Sequence, residues 1–356
     1  MFETLVDTFG DGRVLMAAGL AVGLLFGAAA QHSRFCLRAA TIEVSAGGFG
    51  PRFAGWLVAF FTAVLAVQGA IAAGYLDVSQ ARQLAATGSL SGAIVGGLMF
   101  GCGMILARGC ASRLLVLSAT GNMRALVSGL VLTLVAQASL RGALVPAREA
   151  ISELWLVEGG AARDILARLG VGPGPVVVIA ALALAFSLWL SVRRNVPPSR
   201  TIAAALVGLA VALGWLVTYA IAQSSFEVVP ITSITFTGPS TDTLMGLINN
   251  PGLPLGFGVG LVPGVFAGSA LTAIATREFR IERFGPDTPM ERHIGGAVLM
   301  GFGSMLAGGC AVGAGMSGGA VFALTAWVAL LFMWIGALAT QMALVRFGGT
   351  GKRAAA

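Results

Sequence analysis

Long stretches of this chain carry no charged side chain at all: residues 201–222 are one and residues 253–276 another. A run of roughly 20 apolar residues is what an α-helix needs to cross a hydrocarbon core. Within lipid, only helices and closed barrels satisfy their own backbone hydrogen bonds. Comparable runs, broken only by Arg141, recur at 14–31, 53–76, 90–107, 125–146, 175–192, 294–307 and 320–345. Apolar residues make up 57% of the chain and charged residues 10%, against roughly 25% charged in a soluble domain. The reading is an all-α integral membrane protein of about nine transmembrane helices, with no soluble domain between them. The segment before the first run is too acidic and too short for the basic start of a signal peptide, so that run is expected to be retained.

The net charge of +7 does not mark a nucleic-acid-binding protein. Of the 22 basic residues, only Lys352 is lysine, and the arginines lie in short clusters between apolar runs. Orientation in a bilayer accounts for that pattern. Arg193, Arg194 and Arg200 share one tight loop without an acid, which places the loop in the cytoplasm. Counting outward puts Arg34, Arg38, Arg52, Arg108, Arg113, Arg124, Arg277, Arg280, Arg283, Arg292, Arg346, Lys352 and Arg353 on the same side. The opposite side holds Glu3, Asp7, Asp11, the acids between Glu149 and Asp164, and a Thr-rich loop with Glu227 and Asp242. The expected topology has the N-terminus outside and the C-terminus cytoplasmic. Pro197-Pro198 marks a hinge at 193–200 between a first membrane half, 1–192, and a second, 201–356. The loop 147–172 has helical spacing with charges on one side and reads as an amphipathic surface helix.

The string Gly-Cys-Ala occurs twice, at 109–111 and 309–311. Aligned on Cys110 and Cys310, the pairs Gly96/Gly296, Gly101/Gly301, Gly103/Gly303, Leu106/Leu306, Ala107/Ala307 and Gly109/Gly309 are identical. Internal repeats of this kind mark transporters, with the site at the repeat interface. The loop charges make the two copies enter the membrane from opposite faces, as an inverted repeat would. The eighth run is only about 14 residues, short for a crossing, and reads as a half-helix ending at mid-membrane. Residues 19–24 and 256–261 also resemble one another, yet the topology gives them the same direction.

Glycine permits chain reversal and close backbone approach. A broken helix at depth is tolerated where it lines a cavity, and a half-helix N-terminus there offers N–H groups to an anion. Glycine-mediated helix packing is the competing explanation for the glycines alone. It explains a Gly-Cys-Ala turn repeated in register less well. Cys102 aligns with Phe302 and reads as packing. Cys36 lies between Arg34 and Arg38, which would favour a thiolate or draw an anion toward the thiol; an ordinary cytoplasmic anchor is the plainer alternative. Arg108 and Arg113 bracket Cys110 in the same way. His32 and His293 stand alone, and no metal-site spacing or catalytic triad is present. The candidate binding residues are Cys36, Cys110, Cys310, Gly109, Gly309, Arg34 and Arg108, with no cofactor and no metal.

Arg34-Phe35-Cys36, Gly109-Cys110-Ala111 and Gly308-Gly309-Cys310-Ala-Val-Gly-Ala-Gly-Met-Ser-Gly318 together resemble the YeeE/YedE sulfur-transport family, from about Gly19 to Met342. The resemblance implies a bacterial inner-membrane protein that takes up thiosulfate, or a related sulfur anion, through an hourglass of helices with broken segments at its centre. It assigns the three motif cysteines to Cys36, Cys110 and Cys310, and implies a cytoplasmic sulfur-carrier partner. Arg108 departs from the Gly-Gly-Cys that family members often carry, which bears on substrate choice. The expected function is uptake along a line of thiols. The alternatives are a membrane-embedded persulfide transferase, transport of a selenium species, or a packing subunit of a larger complex.

Overall fold

The computed structural model describes residues 2–249, 255–285 and 289–347. Met1, the start of the expected seventh span at Leu253, and the basic residues Lys352 and Arg353 lie outside the described residues. Among the described residues, nine helical segments are long and apolar enough to cross a membrane.

A short helix α1 (Phe2–Phe9) precedes α2 (Asp11–Ser33), which breaks and resumes as α3 (Leu37–Ser45). Helix α4 (Pro51–Ala72) follows, then a single turn, α5 (Arg82–Ala85). Helix α6 (Leu90–Leu106) breaks and resumes as α7 (Ala111–Ala119), and α8 (Met123–Arg141) returns. The connection onward holds α9 (Val145–Ser152) and α10 (Ile165–Leu169). After it come α11 (Pro173–Arg193), α12 (Pro198–Ser224), α13 (Thr237–Asn249) and α14 (Phe257–Ala275). Helix α15 (Met290–Leu306) breaks into a π-helical turn (Ala311–Gly318), and α16 (Leu324–Phe347) ends the described chain.

Two sets of glycines organise the core. A methyl group at Gly19, Gly23 or Gly27 of α2 would strike the backbone of Phe257, Leu261 or Val265 on α14. Reciprocally, one at Gly260, Gly264 or Gly268 would strike Met16, Leu20 or Leu24. Residue numbers rise together on the two helices, so they run parallel, in the small-xxx-small packing that membranes favour. The likeness of 19–24 to 256–261 therefore has a physical basis: the two segments pack on each other in paired parallel helices.

Helices α6 and α15 pack the other way. Gly96 faces Gly303 and Ala307, while Gly296 faces Gly103 and Ala107. Numbers rise on one helix as they fall on the other, so the two repeat copies lie antiparallel. The partners are exchanged as well: Gly101 of α6 packs on Met333 and Ala337 of α16, and Gly301 of α15 packs on Leu132 and Val135 of α8. Each copy's first helix thus leans on the last helix of the other copy.

The eighth span is longer than the sequence suggested. Its helix starts at Met290, because the polar first turn Met-Glu-Arg-His belongs to it, and continues past the break to Gly318. The loop 147–172 is not one amphipathic helix. It holds α9, the two-residue strand Leu156–Val157 paired antiparallel with Gly88–Ser89, a 3₁₀ turn (Gly160–Ala162), and α10. The glycines at 159 and 160 interrupt the helical spacing, Gly160 with φ 79°, where a continuous helix has no place for a left-handed residue.

Candidate functional site

The breaks before Cys36, Cys110 and Cys310 share one device. Arg34, Arg108 and Gly308 each end a helix in the left-handed region, with φ of 54°, 58° and 76°. The N–H of the next residue then reaches back five residues: Phe35 to Ala30 at 3.2 Å, Gly109 to Met104 at 3.1 Å, Gly309 to Ser304 at 2.9 Å. This is the Schellman type of helix ending. Two residues after each left-handed position stands a cysteine with extended backbone, and its carbonyl opens the next helical segment. Ala40 donates to Cys36 at 3.2 Å, Leu114 to Cys110 at 2.8 Å, and Ala314 to Cys310 at 2.8 Å. Cys36, Cys110 and Cys310 are therefore the N-caps of α3, α7 and the π-helical turn.

All three thiols are buried and unbonded to one another. Cys110 lies within electrostatic reach of both Cys36, which is outside the sequence repeat, and Cys310. The Cys310 Sγ accepts from the Gly313 N–H at 3.4 Å, and the Cys110 Sγ sits 3.3 Å from the Ser112 hydroxyl. Cys102 is separate. It lies on the α6–α16 contact with its Sγ 3.6 Å from the Gly336 carbonyl oxygen.

Arg34, Arg52 and Arg113 gather near Cys36. Arg113, from the first turn of α7, lies within reach of Cys36, Cys110, Arg34 and Arg52, and donates to the Gln31 Oε1 at 3.5 Å. Arg34 is engaged by Glu278 at 3.0 Å, and Gln31 donates to the same carboxylate at 2.9 Å. Burial alone would push the Glu278 carboxyl up. The hydrogen bond and charge of Arg34, the bond from Gln31 and the charge of Arg200 outweigh it and hold the group below the ordinary carboxylate range.

Two cavities flank the breaks at related positions. One, of about 260 Å³, is lined by Ala107, Arg108, Arg38, Arg124, Glu282 and His293. The other, of about 270 Å³, is lined by Ala307, Gly308, Thr325, Arg82, Arg163 and Gln83. Ala107 aligns with Ala307 and Arg108 with Gly308. Each cavity is lined on one side by a residue of a foreign loop, Glu282 or Arg163, that pairs with the turn after the repeat. Glu282 donates to Gly121 at 3.1 Å and accepts from Met123 at 2.9 Å; Ile165 donates to Phe322 at 3.1 Å and Arg163 accepts from Leu324 at 2.7 Å. The first loop brings a carboxylate that pairs with Arg124 and Asn122. The second brings the buried guanidinium of Arg163, which donates to Ala86 O and to the Thr325 hydroxyl, both at 2.6 Å. Burial, and then the charge of Arg82, draws Arg163 below the usual arginine range.

Several participants were not singled out as site residues in the sequence. Glu278 and Gln31 carried no motif; their pairing across the parallel α2–α14 contact exists only in three dimensions. Residues 230–236 form a non-helical strip that enters the core. Ser317 donates to Ile234 O at 2.7 Å, Ser233 to Val211 O at 2.6 Å, and the Phe236 ring lies 5.2 Å from that of Phe26. The alternation of Ser and Thr with Ile and Phe in a loop without Lys or Arg was the available signal. The Glu43 carboxylate accepts the N–H groups of Arg52 and Phe53 at 2.9 Å and caps α4. Among the described residues, no group of His, Cys, Asp and Glu is placed to hold a metal ion.

A multi-pass helical protein whose broken helices converge on buried thiols between two cavities is a membrane transporter. The chain belongs to the sulphur transport family, whose model matches residues 32–339. It is similar to the thiosulfate transporter TsuA of Escherichia coli, with 27% identity over 345 residues, covering 90% of this chain and 92% of that protein. It is also similar to TsuA of Spirochaeta thermophila, with 29% identity over 333 residues, covering 89% of this chain and 96% of that protein.

Proposed function

We propose that this protein carries thiosulfate into a bacterial cell across the plasma membrane, with its N-terminus outside and its C-terminus in the cytoplasm. The substrate reading follows the two relatives named as thiosulfate transporters. The pathway reading rests on one observation: three cysteines occupy the same N-cap position of three half-helices after the same left-handed break. The antiparallel packing of α6 on α15 supports an inverted repeat, with membrane halves 1–192 and 201–356 joined at the 193–200 hinge. The break at Gly308 then lines the cavity on the outer side, with Cys310 just beyond it and Cys110 and Cys36 further inward. Gly109 and Gly309 let the backbone turn beside the ion, and Arg34 and Arg108 set the cationic field on the inner side.

Thiosulfate is a dianion with a terminal sulfur. A neutral S–H gives it a weak hydrogen bond, and the positive ends of the half-helices lower the electrostatic barrier. Weak sites in series let the ion leave each station as readily as it arrives. A cytoplasmic sulfur carrier would receive the ion on the arginine-bearing face. The test is uptake of radiolabelled thiosulfate into proteoliposomes, against sulfate, sulfite and selenite as competitors. Cys110→Ala and Cys310→Ala should abolish uptake while the purified protein keeps its helical spectrum and melting temperature; Cys102→Ala should transport normally. Normal uptake by the Cys110→Ala/Cys310→Ala double variant would remove the thiols from the pathway.

A further inference from the structure

A cavity of about 240 Å³ opens on the arginine-bearing face between the end of α2, the start of α4 and the α11–α12 hinge. Four guanidinium groups line it, those of Arg34, Arg52, Arg194 and Arg200, and no Asp or Glu is among its lining residues. We propose that this cavity binds an oxyanion of the phosphate or sulfate class.

Charge accounting carries the proposal. Arg52 lies within reach of the like charges of Arg34 and Arg200. Two carboxylates stand near, and both are engaged: Glu278 with Arg34 and Gln31, Glu43 with the first N–H groups of α4. Four cations thus stand against two carboxylates, Glu278 on Arg34 and Glu43 beside Arg52. The helix ends add to the field. Helices α4 and α12 both begin here with a proline, and neither has an acid in its first turn. Each instead carries an arginine there, Arg52 and Arg200, which the helix dipole disfavours. At the start of α4 Glu43 already supplies the carboxylate; the start of α12, with Arg200 in its first turn and no acid there, lines the cavity with its positive end and suits an anion.

The place in the fold admits two sources of that anion. The neighbouring helix α11 shows an exposed apolar face with Val178, Leu182, Phe186 and Trp189, so the phosphate of an anionic lipid could enter from the bilayer side. A basic pocket between helices at the cytoplasmic surface suits such a headgroup. Free phosphate or sulfate could enter from the aqueous side by the same guanidinium chemistry.

The experiment uses the full chain in nanodiscs of phosphatidylcholine, without or with phosphatidylglycerol, and reads equilibrium binding of radiolabelled inorganic phosphate. In phosphatidylcholine discs the protein should bind phosphate saturably. Arg194→Gln/Arg200→Gln should bind it about tenfold more weakly, since two charge-assisted contacts are removed. If lipid is the resident ligand, phosphatidylglycerol should displace phosphate from the wild-type protein and remain bound to it, not to the variant, after detergent extraction. If free oxyanion is the ligand, added phosphatidylglycerol should leave phosphate binding unchanged. Should the double variant not fold, Arg194→Gln alone, at an exposed position, gives the same reading. The proposal is overturned if the wild-type protein binds neither phosphate nor phosphatidylglycerol better than the folded variant does.

Discussion

The guanidinium of Arg34 and the carboxylate of Glu278 meet at 3.0 Å, joining the break before Cys36 to the end of α14. Both stand at left-handed helix ends, Arg34 itself and Arg277 immediately before Glu278. The parallel helices α2 and α14 therefore finish together and are tied at the cationic face by an ion pair that a motif cysteine follows by two residues.

Replacing Glu278 with Gln should change stability modestly and in a pH-dependent way. The pair is more than a third exposed on both sides, so its worth is at most about 1 kcal/mol. The Glu278 carboxyl is held below its ordinary range in the folded protein. Its contribution is thus present above the unfolded-state value of about 4.3 and is lost as pH falls through the lower folded value. The difference in melting temperature between wild type and Glu278→Gln should be constant from neutral pH down to about 5 and close below about 4. A difference that grows on acidification would contradict the pairing.

Glycine substitutions should separate the packing positions from the idle ones. A methyl at Gly264 would meet the Leu20 carbonyl and the Gly23 Cα, whereas one at Gly69 has nothing within 4 Å. Gly264→Ala should destabilise by about 1–3 kcal/mol, the range for overpacking. Gly69→Ala should be neutral or stabilising by up to about 1 kcal/mol, as expected when glycine is removed from a helix interior. Thermal unfolding in detergent, read by scattering-corrected tryptophan fluorescence, compares the two. Equal losses would mean that the α2–α14 contact is looser than the backbone approach indicates.

The membrane class and the nine spans were legible because uncharged length is a one-dimensional property. The repeat and its cysteines were legible for the same reason: Gly109-Cys110 and Gly309-Cys310 match letter for letter. The break at Arg34 was harder to see, since arginine carries there the left-handed turn that Gly308 carries in the second copy. Glu278, Gln31 and Arg163 could not be ranked by sequence. Their roles depend on loops and helix ends that are distant in the chain, 247 residues in the Gln31–Glu278 contact. The loop 147–172 misled because helical charge spacing outweighed two adjacent glycines.

The strip at 230–236 should prove as sensitive as the motif itself. Gly313, three residues after Cys310, has no room for a side chain because the Thr235 hydroxyl and Cβ occupy that space. Gly313→Ala must displace Thr235 and the strip around it. Uptake should fall by at least about tenfold, the consequence of roughly 1.4 kcal/mol of misplacement at the site. Thr235→Ala removes the nearer of the two obstructing atoms and should partly restore uptake in the Gly313→Ala background. Additive losses in the double variant would show that the two positions do not communicate.

Arg163 offers a test on the opposite cavity. Its guanidinium is buried and donates to Ala86 O, Arg82 O and the Thr325 hydroxyl, and its own carbonyl accepts from Leu324 at 2.7 Å. Desolvating a guanidinium is unfavourable, and here carbonyl and hydroxyl acceptors offset it. Methionine in its place keeps the aliphatic stem and leaves the Ala86 carbonyl without its cationic donor, at about 1–3 kcal/mol. The backbone bond to Leu324 survives the change, so global unfolding is not the expected result. The loop should instead detach more often. Leu154 and Trp155, already exposed beside it, should be cut faster by chymotrypsin in Arg163→Met. Arg168→Met, which loses one exposed bond to Ala162 O at 2.7 Å, should match the wild type. Equal cleavage of all three proteins would mean that the strand pairing of Leu156 with Ser89, and not Arg163, fastens the loop.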